Sequence, residues 1–194
     1  SIVQIPHLRV AQPLEQWAPL LDFAVHAAGI LPLANLAVPD DVASLYNVSS
    51  DFESASTLLS EALQDAPDDY NILNKLGATL ANNNKSEEAI PLYKRALMIR
   101  PNFTRGWLNL GISFANLNKY EDAAKAYLQS LHLNPKAKHI WGYLRVVLTC
   151  LGKLELVELC GKEDIQSLAE KLGVSLNFSE TKPTANIDIL KSIG

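Results

Sequence analysis

A spacing of 34 residues organises the middle of this chain. Leu73, Leu76, Gly77, Leu80, Ala89, Tyr93, Ala96 and Pro101 are answered 34 positions later by Trp107, Leu110, Gly111, Phe114, Ala123, Tyr127, Ser130 and Pro135. The same step backwards from the second half of that set reaches Ala55, Leu59, Ala62 and Pro67. Recurrence at this length marks a repeated supersecondary unit. A unit so small cannot bury its apolar face alone, so neighbouring copies must stack. Within each copy the apolar residues follow the three-and-four spacing of a helix. The prolines at 101 and 135 stop the second helix of each copy. Gly77, Gly111, Ala89 and Ala123 are small enough to let paired helices approach closely.

The pattern is similar to the tetratricopeptide repeat, whose positions 4, 7, 8, 11, 20, 24, 27 and 32 are the ones matched. The expected architecture is all-α, a right-handed superhelix of stacked antiparallel helix pairs. Two copies are clear, 70–103 and 104–137. A copy at 36–69 is degenerate, because Pro39 shortens its first helix to a start near Asp40. A partial copy occupies 138–161, and Glu163 to Leu172 reads as a capping helix stopped by Gly173. Residues 1–35 match no repeat and hold one amphipathic helix, Leu14 to Ala28. Residues 174–194 read as a tail with a turn of helix at Ile187–Ile193. Ser50, Asn84 and Asn118, each with a glutamate three residues on, suggest reciprocal N-caps for the second helices.

Hydrophobic residues make up 48% of the 194, enough for a packed core. The net charge of −4 gives no basic field for nucleic acid or an anionic membrane. The longest apolar run, Phe23 to Val38, is interrupted by His26, Pro32 and Asn35, too short and broken for a membrane span. Cys150 and Cys160 fit neither a metal spacing nor a disulfide framework and read as reduced intracellular thiols. His7, His26, His132 and His139 are isolated, and no glycine-rich phosphate loop occurs. The expectation is a non-enzymatic chain with no cofactor and no metal.

Function is then sought on the face of the first helices opposite the apolar stripe. That face reads Asn71, Asn74, Lys75, Ala78 and Asn82 in one copy, and Arg105, Asn109, Ile112 and Asn116 in the next. The third set is His139, Gly142, Tyr143, Val146 and Cys150. None of these is acidic, although the chain as a whole is. A side-chain amide offers a donor and an acceptor, which matches the two polar groups of a peptide bond. Asparagine inside a helix costs about 0.5 kcal/mol against a good helix former, so Asn74, Asn109 and Asn116 ask for a reason to be there. Lys75 and Arg105 add charge suited to a carboxylate. Asn71, His139 and Tyr143 read as solvated surface, and Asn84 and Asn118 as helix caps. The face fits an extended peptide ending in a negative group.

At these residues the chain resembles a specific family. "NKLGATLAN" followed by "SEEAIPLYKRAL", then "RGWLNLGISFAN", is similar to the C-terminal tetratricopeptide triplet of the peroxisomal targeting signal 1 receptor, the peroxin-5 family. "LYNVSSDF" and "IWGYLRVVLTCLG" resemble the segments flanking that family's last repeats, so the likeness runs from about Val42 to Val174. It implies a receptor for proteins ending in Ser-Lys-Leu or close variants, cytoplasmic and cycling to the peroxisomal membrane. The implied partners are C-terminal cargo peptides and, in a full receptor, peroxisomal docking proteins. The family's peptide-holding asparagines correspond to Asn74, Asn82, Asn109 and Asn116, and its basic groove residues to Lys75 and Arg105. Its N-terminal repeat triplet is not found in residues 1–35. Two other readings stay open. One is a chaperone-adaptor domain clamping acidic C-terminal tails, and the other is a scaffold whose groove is filled by its own chain.

Overall fold

Alternation of apolar stripes with polar turns produces eight delimited helices in the computed structural model, which describes residues 51–176 and Leu190. They are α1 (Phe52–Asp65), α2 (Tyr70–Asn82), α3 (Ser86–Ile99) and α4 (Thr104–Asn116). There follow α5 (Tyr120–Leu133), α6 (Lys138–Cys150), α7 (Leu154–Gly161) and α8 (Ile165–Leu172). No strand occurs among the described residues, which belong to the unit Val38–Gly194. The helices expected at Leu14–Ala28 and after Asp40, and the cap at Ser50, lie outside the described residues. So does the expected turn at Ile187–Ile193, except for Leu190, which is helical and buried.

Each helix packs against the next, and α2 also meets α4, so first helices of successive repeats lie side by side. The last delimited helix, α8, folds back on α5. The core runs through the repeats on the residues of the 34-step: Tyr93, Trp107, Leu110, Phe114, Tyr127, Leu144 and Leu148 are all buried. Removing one of the large rings, such as Trp107, would cost about 3–5 kcal/mol. Its indole Nε1 donates to Pro101 O at 2.8 Å, and Trp141 Nε1 repeats the bond one unit on, to Pro135 O at 3.0 Å. The prolines that stop α3 and α5 thus also supply the acceptors that satisfy the buried indoles.

Two glycines set how closely the helices of a pair approach. A Cβ on Gly77 would stand 2.7 Å from Tyr93 Cε1, and one on Gly111 2.6 Å from Tyr127 Cδ1. The tyrosine rings of α3 and α5 therefore lie against bare backbone of α2 and α4. Burial raises the pKa of both phenols, so they stay neutral.

The expected N-caps at Asn84 and Asn118 are corrected by the structure. The residues that precede α3 and α5 are Lys85 and Lys119, and neither helix start has a side-chain cap bond. Asn84 and Asn118 both have φ of 59° and so occupy the left-handed region. They close the preceding helices: Lys85 N donates to Leu80 O at 2.9 Å, and Lys119 N to Phe114 O at 2.9 Å. This is the Schellman arrangement, which needs a left-handed residue just past the helix. Asparagine tolerates that conformation better than other residues with a Cβ. Gly152, one repeat on, takes it with φ of 67°. True side-chain N-caps occur elsewhere, at Asp51 for α1, Asp69 for α2 and Asp164 for α8. The expected capping helix begins at Ile165 rather than Glu163, whose own φ is 55°.

Candidate functional site

α2 and α4 carry the residues singled out from the sequence, and their adjacency joins two of them directly. Asn109 Nδ2 donates to Asn74 Oδ1 at 3.0 Å, across a separation of 35 residues. Asn74 is 5% exposed, an uncommon degree of burial for an asparagine. The bond uses one acceptor and one donor. Asn74 Nδ2 and Asn109 Oδ1 take no part in that bond, leaving one donor and one acceptor, the two kinds of group that pair with a peptide backbone.

The two basic residues also come together. Lys75 is half-buried in α2, and burial, then the positive Arg105 nearby, hold its ammonium below the ordinary lysine pKa. Arg105 is exposed in the first turn of α4. A lysine held beside a second positive charge forms a place where a carboxylate is favoured, by attraction to both charges and by relief of their repulsion.

The remaining two amides are arranged differently. Asn116, the last residue of α4, donates Nδ2 to Ser86 Oγ at 3.3 Å. Ser86 is itself buried and opens α3, so this amide is tied to the helix behind it. Asn82 is exposed at the end of α2, and no bond joins it to the other five. The six residues are therefore two coupled pairs, Asn74 with Asn109 and Lys75 with Arg105, and two outliers. Sequence reading missed Ser86, because serine in the first turn of a helix carries no distinguishing pattern.

Beside Asn116 lies an apolar hollow of about 250 Å³, lined by Ile112, Ala115, Asn116, Tyr127, Tyr143, Val146 and Val147. Tyr143 is 44% and Val146 60% exposed, so apolar surface is offered to solvent on the same helix face as the amides. Tyr143 stacks near Tyr127 with ring centroids 5.9 Å apart, which fixes the wall of the hollow. Among the described residues, no group of three His, Cys, Asp or Glu side chains is placed as metal ligands would be. No helix among them is long and apolar enough to cross a membrane.

The tetratricopeptide repeat family profile matches residues 43–102 and again 104–137. These are tetratricopeptide repeats. Solved structures of the same fold include the Sgt2 TPR domain from Aspergillus fumigatus, with a TM-score of 0.56 at 17% identity over 59% of this chain and 78% of that one. The first TPR of Spaghetti (RPAP3), bound to an HSP90 peptide, scores 0.56 at 18% identity over 58% of this chain and 89% of that one. Among curated proteins, the repeats are similar to the peroxisomal targeting signal receptor of Eremothecium gossypii, 36% identical over 86 residues, 44% of this chain and 15% of that protein. The peroxisomal targeting signal 1 receptor of Dictyostelium discoideum is 53% identical over 49 residues, 25% of this chain and 8% of that one. The receptor of Saccharomyces cerevisiae is 44% identical over 61 residues, 31% of this chain and 10% of that one. The repeat region thus resembles that of peroxisomal targeting signal receptors, and the matched segments span 8–15% of those relatives' length.

Proposed function

We propose that these repeats bind the C-terminus of a cargo protein, of the Ser-Lys-Leu type, as the recognition part of a peroxisomal import receptor. The observation that carries this reading is the Asn109–Asn74 bond at 3.0 Å, which holds two amides in fixed orientation beside the Lys75–Arg105 pair. A backbone donor and acceptor from the amides, next to a doubly cationic corner, is complementary to the last residues of a chain with a free carboxylate. The hollow beside Asn116 has room for one apolar side chain of the same peptide. The resemblance to targeting signal receptors supports the same substrate class. A receptor of this kind works from the cytoplasm and meets docking proteins at the peroxisomal membrane.

The function needs no bond-making step. Specificity comes from the cost of leaving the buried amide unpaired by any ligand that cannot supply a complementary group. An acidic-tail clamp would instead use several lysines and arginines on this face, where two basic residues stand beside four asparagines.

Competition distinguishes the two. A labelled peptide ending in Ser-Lys-Leu is held by the chain and displaced by unlabelled Ser-Lys-Leu peptide, while a peptide ending in several acidic residues displaces it at least 10-fold less well. The reverse order of competitors would replace this reading with the acidic-tail clamp.

A further inference from the structure

A second concavity, of about 630 Å³, opens where α2, α4 and α6 begin. Its polar lining includes Arg100, Arg105, His139, Asn71, Asn102 and Asn134. No aspartate or glutamate lines it, in a chain with 21 acidic against 17 basic residues. Arg100 is held in place rather than free to turn away. Its guanidinium donates to Tyr70 Oη, lies over the Tyr70 ring at 4.8 Å from the centroid, and reaches Asn102 Oδ1 through Nε at 3.4 Å. Tyr70 is in turn braced edge-on by Phe103, with centroids 5.0 Å apart.

Among the described residues, no carboxylate forms an ion pair with Arg100 or Arg105, whereas Arg95 pairs with Asp68 at 3.2 Å. Two guanidiniums and three amides around one hollow, with the acids excluded, present donors to whatever enters. A guanidinium has five N–H donors in a planar fork that fits the oxygens of a carboxylate or phosphate. An aromatic shelf under Arg100 reduces the ordering cost of forming such a bond.

We propose that this concavity is an anion-binding site for a carboxylate or phosphoryl group, with Arg100 and Arg105 as its two charged donors and the asparagine amides completing the shell. It goes beyond the peptide-terminus reading, because Arg100, Asn102 and Asn134 lie off the amide face. Arg105, Asn71 and His139 of the first-helix face also line the concavity, so Arg105 stands between it and the proposed peptide terminus. An acidic or phosphorylated residue on a docked partner is the kind of group it would take.

The test uses inorganic phosphate and acetate at low ionic strength, with arginine side-chain Nε–Hε signals as the readout. Saturating shifts of the Arg100 and Arg105 signals are expected at millimolar anion, and Arg100→Gln is expected to weaken the remaining Arg105 response at least 5-fold. Saturation by phosphate alone assigns the site to phosphoryl groups, and saturation by both assigns it to carboxylates as well. Shifts that stay linear for both anions would overturn the proposal, as would an Arg105 response of unchanged affinity in a folded Arg100→Gln chain. Inorganic anions need no peptide, so failure of the peptide-terminus reading leaves this result interpretable.

Discussion

Asn109 and Asn74, 35 residues apart in sequence, join their side-chain amides through an Nδ2–Oδ1 bond of 3.0 Å between neighbouring first helices. Truncating Asn109 removes the donor that orients Asn74 and the acceptor facing the proposed ligand. Asn109→Ala should therefore weaken a Ser-Lys-Leu peptide by about 1–3 kcal/mol, or roughly 5- to 150-fold. Fluorescence anisotropy measures the loss, with circular dichroism confirming the fold. Unchanged affinity in a folded variant removes Asn109 from the site.

The close approach at Gly111 should be costly to fill. A Cβ there meets Tyr127 at 2.6 Å, so Gly111→Ala should destabilise by about 1–3 kcal/mol although alanine is the better helix former. Gly142 in α6 is the contrasting case, with nothing within 4 Å of its added Cβ. Gly142→Ala should stabilise by about 0.5–1 kcal/mol. Urea denaturation of the two variants checks the difference in sign.

The left-handed backbone at Asn84 makes a separate forecast. An N-cap tolerates threonine almost as well as asparagine. A residue at φ of 59° does not, because a β-branched side chain is strained there. Asn84→Thr should lower stability by about 1–2 kcal/mol, and Asn84→Gly should hold or raise it. Equal stability of the threonine variant and the parent chain would restore the N-cap assignment.

Lys75 gives the site a pH dependence of definite sign. Its ammonium is held below the usual lysine range by burial and then by Arg105. A bound carboxylate raises that pKa again, so binding takes up a proton between the free and bound values. Affinity for a free-carboxylate peptide should fall as pH rises through the lowered value, before an ordinary lysine titrates. Lys75→Met should flatten this fall, since Arg105 keeps its charge throughout. Anisotropy titrations over about pH 7–11 follow both chains across the lysine range. A profile as steep in Lys75→Met as in the parent would remove Lys75 from the carboxylate contact.

Much of the fold was legible because one physical necessity, burial of a shared apolar stripe, repeats every 34 residues. Gly77, Gly111, Trp107, Pro101 and Pro135 each do in space what their place in the pattern implied. Asn84 and Asn118 were misread because asparagine suits both an N-cap and a left-handed helix end. Gly152 at the next step was the available clue, since glycine favours the second role. The pairing of Asn74 with Asn109, rather than with Asn82 or Asn116, depends on the offset between adjacent helices, which spacing alone does not carry. Arg100 escaped notice because it follows α3 in a turn, off the helix face on which function was sought.

Above all, these repeats should read a free peptide C-terminus. The most direct measurement is an anisotropy titration of a labelled peptide ending in Ser-Lys-Leu beside its C-terminally amidated twin. Micromolar or tighter binding of the free acid is expected, with at least 10-fold weaker binding of the amide, since amidation removes the charge facing Lys75 and Arg105. Equal binding of the two peptides, or binding of neither, would contradict this reading.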